Sequence, residues 1–208
     1  MAGIPQIAAY RLPGAEELTP NIADWQVDPA RAVLLVHDMQ RFFLRPLPST
    51  SLAKDLIGNV AALIGHARAH GMPVAYTAQP GGMNEQQRGL LKAFWGQGMQ
   101  VDPQDREIEQ SCAPQPGDWR LTKWRYSAFF NTELLRLMRE HDRQQLVICG
   151  VYAHIGILAT AIESFSHDLE TFIVADAVAD FTRKEHLATL QYAAQACACV
   201  VTRAQVLA

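Results

Sequence analysis

Short apolar segments alternate with longer segments of helical periodicity along most of the chain. Six apolar runs predict β-strands, at Ala32–Val36, Val74–Thr77, Trp119–Thr122, Leu146–Cys149, Thr171–Val174 and Cys199–Thr202. A helix between successive strands supplies the long crossover that parallel pairing requires, so this alternation is typical of an α/β fold. The pattern therefore predicts a parallel sheet of about six strands.

Three long helices and one short helix are predicted between the strands. The first repeats apolar residues at helical spacing over residues 52–67, with Ser51 as a cap at its start. The third follows the "TRKE" capping-box pair at 182–185, and the short helix is expected around residues 85–93. The second begins near His154, with Ile155, Leu158, Ile162 and Phe165 on one face.

Chain length, net charge and the lengths of the apolar runs limit the classes of function that are expected. A length of 208 residues suggests one domain, and residues 1–30, which contain prolines and lack periodicity, are expected to wrap around it. The formal net charge of −3 gives no electrostatic footprint for nucleic acid or for an anionic membrane. The chain shows no signal-peptide pattern and no apolar run near the roughly 20 residues of a membrane span. We therefore expect a cytoplasmic protein that binds neither nucleic acid nor membrane.

The four cysteines do not indicate a metal site or a nucleophile. They are Cys112, Cys149, Cys197 and Cys199, and none of them forms a C-x-x-C pair. A structural zinc site or a redox pair is therefore not expected. Three of the four lie in apolar, strand-like runs, where cysteine usually acts as a small apolar residue.

Polar residues follow four of the predicted strands. Asp38 follows the first, Gln79 the second, Lys123 the third, and "GVYAHIG" at 150–156 the fourth. In open parallel sheets, ligands bind outside the carboxyl ends of the strands, near the point where the strand order reverses. These residues are therefore the candidates for a site, and the backbone N–H groups at the helix start near His154 are a candidate anion-binding site.

Each candidate also has an ordinary structural interpretation. Asp38 can simply cap the turn after its strand, although the apolar "FFLRPLP" segment that follows it favours a pocket wall. Lys123 can be a solvated lysine, although aromatic residues surround it in the sequence. Arg88 is either a surface charge or a clamp for a carboxylate. His154 is either a base or a capping residue at the helix start.

The sequence resembles the isochorismatase-like hydrolase family over almost its whole length. The resemblance rests on "AVLLVHDMQRFFLRPLP", "PVAYTAQPGGMNEQQRGLLKAFWGQGM", "LTKWRYSAFF", "CGVYAHIG" and "VADAVADFTRKEHL". It implies a three-layer, Rossmann-like α/β fold around a central parallel sheet, usually assembled as a homodimer.

The resemblance also implies a reaction class. Most of the wider family are cysteine hydrolases with an Asp, Lys and Cys trio, which Asp38 and Lys123 match, whereas Gly156 stands at the cysteine position. Without that nucleophile, covalent amide hydrolysis is not expected. Some relatives carry an Asp-x-His metal site after the second strand, but "TAQPGG" has neither residue, so neither a metal nor another cofactor is expected.

Within the family, "RFFLRPLP" is similar to the members that act on 2-amino-2-deoxyisochorismate in phenazine biosynthesis. The implied reaction cleaves the vinyl ether of this small dicarboxylate to trans-2,3-dihydro-3-hydroxyanthranilate and pyruvate, and isochorismate is the alternative substrate. A non-catalytic interaction protein is a further alternative. No carrier domain is expected after the hydrolase domain. The implied catalytic residues are Asp38 and Lys123, and the implied substrate-binding and pocket residues are Gln79, Arg88, Tyr152, Gly156, Phe42, Leu44 and Trp95.

Overall fold

The computed structural model describes residues 3–48 and 51–208. Its centre is a six-stranded sheet in which every pairing is parallel, in the order β3-β2-β1-β4-β5-β6. This arrangement confirms the predicted α/β fold. The strands are β1 (Ala32–His37), β2 (Val74–Ala78), β3 (Trp119–Thr122), β4 (Gln145–Val151), β5 (Glu170–Ala179) and β6 (Cys199–Val201).

Helices cover both faces of the sheet. The α-helices are α1 (Arg41–Leu44), α2 (Ser51–Ala69), α3 (Glu85–Arg88), α4 (Leu91–Trp95), α5 (Pro103–Arg106), α6 (Leu134–Glu140), α7 (Leu158–Ser166), α8 (Arg183–Ala196) and α9 (Arg203–Val206). A π-helical turn, Ala153–Ile157, directly precedes α7, and short 3-10 turns occur at Ala15–Glu17 and Gln110–Cys112.

Strand β1 shows how the three layers are built. All six of its residues are buried, and successive side chains point to opposite faces of the sheet. Leu34 and Val36 pack in the core that contains the apolar face of α2. Val33 and Leu35 pack in the second core, which contains residues of α6, α7 and α8. A helix, the sheet and a helix therefore form the three layers.

The predicted carboxyl end of β3 matches the structure, whereas β1 and β2 each continue one residue further than predicted and β4 continues two residues further. β5 continues past Val174 to Ala179, with a register shift against β4 between Ile148 and Gly150. Asp176 interrupts the apolar pattern there, and its carboxylate accepts a hydrogen bond from the backbone N–H of Arg203. β6 ends at Val201 because Thr202 instead caps α9, accepting a hydrogen bond from the Gln205 N–H.

The apolar residues that the sequence places on one face of α7 are not the residues that this helix buries. Ile162 is 41% exposed and Phe165 is 49% exposed, whereas Thr160, Ala161 and Ser164 face the core. The physical reason is the π-helical turn before α7, because its extra residue rotates the following helix relative to a continuous α-helix.

The helix starts are partly as expected. Thr182 accepts a hydrogen bond from the Glu185 N–H and caps α8, which confirms that prediction. Ser51 is itself the first residue of α2, so the cap position falls on residue 50, outside the described residues. The short helix expected around 85–93 is two helices, because Gly89 leaves the helical conformation with a φ of +49°.

The N-terminal segment crosses several elements of the domain. The Ile7 N–H donates to the Pro46 carbonyl, the Tyr10 hydroxyl bonds to residue 180, and Asn21 pairs with Val200. Within residues 3–48 and 51–208, no helix combines the length and the apolar character of a membrane span.

Candidate active site

Asp38 lies directly beyond the end of β1, at the centre of the sheet. Its carboxylate accepts a hydrogen bond from the Thr77 hydroxyl at 2.6 Å and forms an ion pair with the Lys123 ammonium at 2.8 Å. Asp38 is 4% exposed and Lys123 is 2% exposed, so water screens this pair little. The sheet topology produces this contact because β1, β2 and β3 are neighbours and end at the same edge.

The surroundings of Asp38 act on its pKa in opposite directions. Burial alone would raise the pKa of this carboxyl, because it disfavours the charged form. The charge of Lys123 and the hydrogen bonds from Lys123 and Thr77 outweigh burial, so the pKa lies below its ordinary value. In the free protein, Asp38 is therefore ionised at neutral pH.

A cavity of about 280 Å³ opens next to this pair. It contains eight of the nine predicted site residues: Asp38, Lys123, Gln79, Arg88, Tyr152, Gly156, Phe42 and Trp95. They come from the ends of β1, β2, β3 and β4, from α1, and from the segment that contains α3 and α4. The structure thus brings polar residues from the ends of successive strands together in one cavity, whereas their roles stay predictions.

Leu44, the ninth predicted residue, does not line the cavity. It is 8% exposed and packs in the core that contains the face of α2. Phe42 and Phe43, on the same short helix, line the cavity instead. The sequence indicated an apolar segment after Asp38. Which of its residues reach the cavity depends on the direction of each side chain on α1, and the sequence does not show that direction.

Arg88 is a buried cation in the cavity wall. It is 5% exposed, and its guanidinium donates to the carbonyl oxygens of Gly96 at 2.9 Å and Trp95 at 3.2 Å. Among the described residues, no carboxylate lies within ion-pair distance of this group. A buried charge without a partner is costly, so Arg88 is suited to an anionic ligand.

The segment after β4 is held by the protein's own carboxylate. The His154 N–H donates to Asp180 at 2.8 Å, and the His154 ring bonds to the same carboxylate at 2.5 Å. The N–H groups of Ile155 and Ile157 donate to the carbonyl of Tyr152. Three of the N–H groups at this helix start therefore have protein acceptors. The anion site expected from the N–H groups around Tyr152 and Gly156 stays a prediction.

His154, Asp180 and Glu185 also bring three ligand-type atoms within 4.8 Å of one another. The Asp180 oxygens already accept hydrogen bonds from His154 and from the Phe181 N–H. We therefore assign this cluster to holding the turn. That the protein uses no metal stays a prediction.

The isochorismatase domain family matches residues 32–205, most of the chain. The chain belongs to the isochorismatase family. It is 55% identical to the phenazine biosynthesis protein PhzD of Pseudomonas fluorescens over 206 residues, which cover 99% of both chains. It is also 46% identical to the isochorismatase of Bacillus subtilis (strain 168) over 199 residues, covering 95% of this chain and 64% of that protein.

Solved structures support the fold. The cysteine hydrolase from Pseudomonas syringae pv. phaseolicola 1448A is similar with a TM-score of 0.80 and 22% identity, over 91% of this chain and 96% of that one. The chain is thus an isochorismatase-type hydrolase with the α/β fold of that family.

Several lining residues of this isochorismatase-family hydrolase were not predicted. His37 precedes Asp38, and Phe181 follows the end of β5, where the strand-end rule could have found it. Ile4, from the aperiodic N-terminal segment, carried no sequence signal at all. Tyr126 and Gln97 complete the wall, and the Trp95 indole donates to the Tyr126 hydroxyl at 2.8 Å.

Proposed function

We propose that this protein hydrolyses the vinyl ether of 2-amino-2-deoxyisochorismate, giving trans-2,3-dihydro-3-hydroxyanthranilate and pyruvate in phenazine biosynthesis. Support comes from the similarity to a phenazine biosynthesis protein over the full length of both chains. The observation that carries the chemistry is the buried Asp38–Lys123 pair, which shares one small cavity with Arg88.

The proposed reaction begins with a proton transfer from Asp38 to the terminal vinyl carbon of the substrate. The resulting oxocarbenium ion is captured by a water molecule, which loses a proton to form a hemiketal. The hemiketal then breaks its bond to the ring oxygen. Its hydroxyl loses a proton to become the ketone of pyruvate, and the ring oxygen gains a proton to become the alcohol. No covalent intermediate with the protein is required, in agreement with glycine rather than a nucleophile at position 156.

The acid must carry a proton when the substrate is bound, although the pKa of Asp38 is lowered in the free protein. We propose that a substrate carboxylate approaches Lys123 and offsets its charge. With the lysine neutralised and a second anion nearby, burial would then dominate and raise the pKa of Asp38. Substrate binding and protonation of the acid are coupled in this scheme.

Arg88 accounts for the second carboxylate. Its guanidinium is buried in the cavity wall and has no acidic partner among the described residues. A dicarboxylate would therefore place one carboxylate near Lys123 and the other near Arg88, with its ring between Phe42, Trp95 and Phe181.

Release of pyruvate from 2-amino-2-deoxyisochorismate tests the proposal. The wild-type protein should release pyruvate, and Asp38→Ala should abolish turnover with the fold intact. Asp55→Ala, which changes an exposed aspartate on α2, is the matched control and should keep the wild-type rate. A near-normal rate for Asp38→Ala would contradict the assignment of Asp38 as the acid.

Isochorismate is the second candidate substrate, with a hydroxyl in place of the amine. It is favoured by the 46% identity to a protein named isochorismatase. Measuring kcat/KM for both compounds with the same preparation ranks them. No pyruvate from either compound would favour a non-catalytic interaction protein instead.

We also propose that the protein is a cytosolic homodimer. The resemblance to the family supports the dimer, and sedimentation should give about twice the 23.1 kDa of one chain. The four cysteines are free and buried, which suits a reducing compartment.

A further inference from the structure

The ring of His37 fills the space that any side chain at position 156 would need. A Cβ built on Gly156 would overlap Cε1 of His37, lie 2.9 Å from Nε2 of the same ring, and lie 3.1 Å from the Tyr126 carbonyl oxygen. Non-bonded contacts below 3.0 Å require one of the two groups to move. The tightest contacts are therefore with the imidazole.

The imidazole cannot move away easily. His37 is completely buried, and its Nδ1 bonds to the Val151 carbonyl at 2.8 Å. A carbonyl only accepts, so Nδ1 carries the hydrogen, and Nε2 has no hydrogen-bond partner in the described part of the chain. The same residue also packs on β4 through its backbone, since a Cβ on Gly150 would collide with the His37 carbonyl.

We propose that His37 is a positioning residue that determines the reaction type: it fixes the Val151–Gly156 turn beside Asp38 and excludes a side chain, and hence a nucleophile, at position 156. Nothing else in the wall repeats this contact, because the Tyr126 carbonyl needs to yield only a few tenths of an ångström. Gly156 is then required by its neighbour, in addition to any contact that it makes with substrate.

Variants with a smaller residue at position 37 and a larger residue at position 156, made singly and together, test this inference. His37→Asn keeps a donor for the Val151 carbonyl, because the asparagine amide nitrogen takes the place of Nδ1, and it removes Cε1 and Nε2. Gly156→Ala should lower kcat/KM for pyruvate release about 100-fold by displacing the turn. His37→Asn should lower it by less than about 10-fold, and His37→Asn/Gly156→Ala should return to within about 3-fold of His37→Asn.

Gly65→Ala is the matched control, because a Cβ at this exposed position on α2 meets nothing within 4 Å. It should keep the wild-type kcat/KM and melting temperature. The melting temperatures of all variants are also measured. If Gly156→Ala does not fold, His37→Asn/Gly156→Ala should still fold and should melt near the temperature of His37→Asn. A double variant that fails to fold or stays as inactive as Gly156→Ala would overturn the inference.

A thiol probe gives a readout that is independent of turnover, so failure of the proposed function does not affect it. In His37→Asn/Gly156→Cys, iodoacetamide should alkylate the introduced thiol about 10-fold faster than in Gly156→Cys, because only the double variant leaves room for the sulfur in the cavity. The native cysteines are all buried, so the wild-type background is low. Equal alkylation rates in two well-folded variants would show that His37 does not exclude the side chain. If wild-type protein releases no pyruvate, the proposed function fails while this comparison still decides the role of His37.

Discussion

Asp38 adopts a backbone conformation that few non-glycine residues accept. Its φ is +51°, in the left-handed region, where Asp and Asn occur more often than other side chains. The turn carries the carboxylate from the end of β1 to Thr77 and Lys123. Backbone strain at a position of this kind is maintained by the surrounding contacts.

The two pH profiles of the reaction should differ. Because the pKa of Asp38 is lowered in the free protein, kcat/KM should fall with rising pH across the neutral range. kcat reports the substrate complex, where the pKa of Asp38 is raised in our proposal, so its fall should begin at higher pH. Steady-state pyruvate release over a pH series measures both. Coincident profiles, or flat ones, would contradict substrate-linked protonation.

Removing the Arg88 charge should weaken substrate binding more than it slows chemistry. Arg88→Gln should raise KM about 10- to 100-fold, since a hydrogen bond to a charged group contributes about 1.5–3 kcal/mol. Arg139→Gln, at an exposed position on α6, is the control and should leave KM unchanged. An unchanged KM for Arg88→Gln would mean that the guanidinium binds the carbonyl oxygens of Gly96 and Trp95 but not the substrate.

At the level of single residues, the sequence identified the polar residues of the site better than it identified the apolar residues of the cavity wall. Asp38, Gln79 and Lys123 were found because strand ends are visible in the apolar pattern and converge at one sheet edge. The sequence analysis named Leu44 as a wall residue and did not name Phe43. A helix of four residues is too short to show a periodic pattern, so the sequence does not indicate which of its side chains face the cavity. His37 was not predicted, since its proposed role depends on a glycine more than a hundred residues away in the chain.

Among the elements, the turn between β4 and α7 depends most on tertiary contacts. Asp180, from the end of β5, accepts hydrogen bonds from the backbone and the ring of His154. No local pattern shows that a carboxylate 26 residues later will occupy this helix start. The sequence therefore predicted the turn and its helix but not the partner of the helix start.

The His154–Asp180 contact should make stability depend on pH. The hydrogen bond to Asp180 raises the pKa of His154 above its ordinary value in the folded protein, so its contribution is complete below the unfolded pKa and is lost as pH rises through the folded pKa. The difference in free energy of unfolding between wild type and His154→Gln should therefore shrink as the pH rises above the ordinary histidine pKa of about 6.5. Urea unfolding at a series of pH values measures this difference, with the exposed His141→Gln as control. A constant difference would contradict the ion pair.

For the molecule as a whole, the two cores on either side of the sheet supply most of the apolar burial. Leu56 on α2 is fully buried, so Leu56→Ala should reduce the free energy of unfolding by about 2–5 kcal/mol. Leu90, which is 84% exposed, gives the same chemical change without a cavity, and Leu90→Ala should stay within about 0.5 kcal/mol of wild type. Equal losses in urea unfolding would place Leu90 in a contact that a single chain does not show.

The order of the strands also affects synthesis of the protein. β1 lies in the middle of the sheet, yet one of its two neighbours, β4, leaves the ribosome about 110 residues later. Until then, the nascent chain carries an apolar strand with one open edge, the kind of surface that chaperones bind and that aggregates when left free. We expect ribosome-stalled chains ending before Gln145 to be sensitive to protease and to be bound by chaperones, and chains extending past Ala179 to be protected.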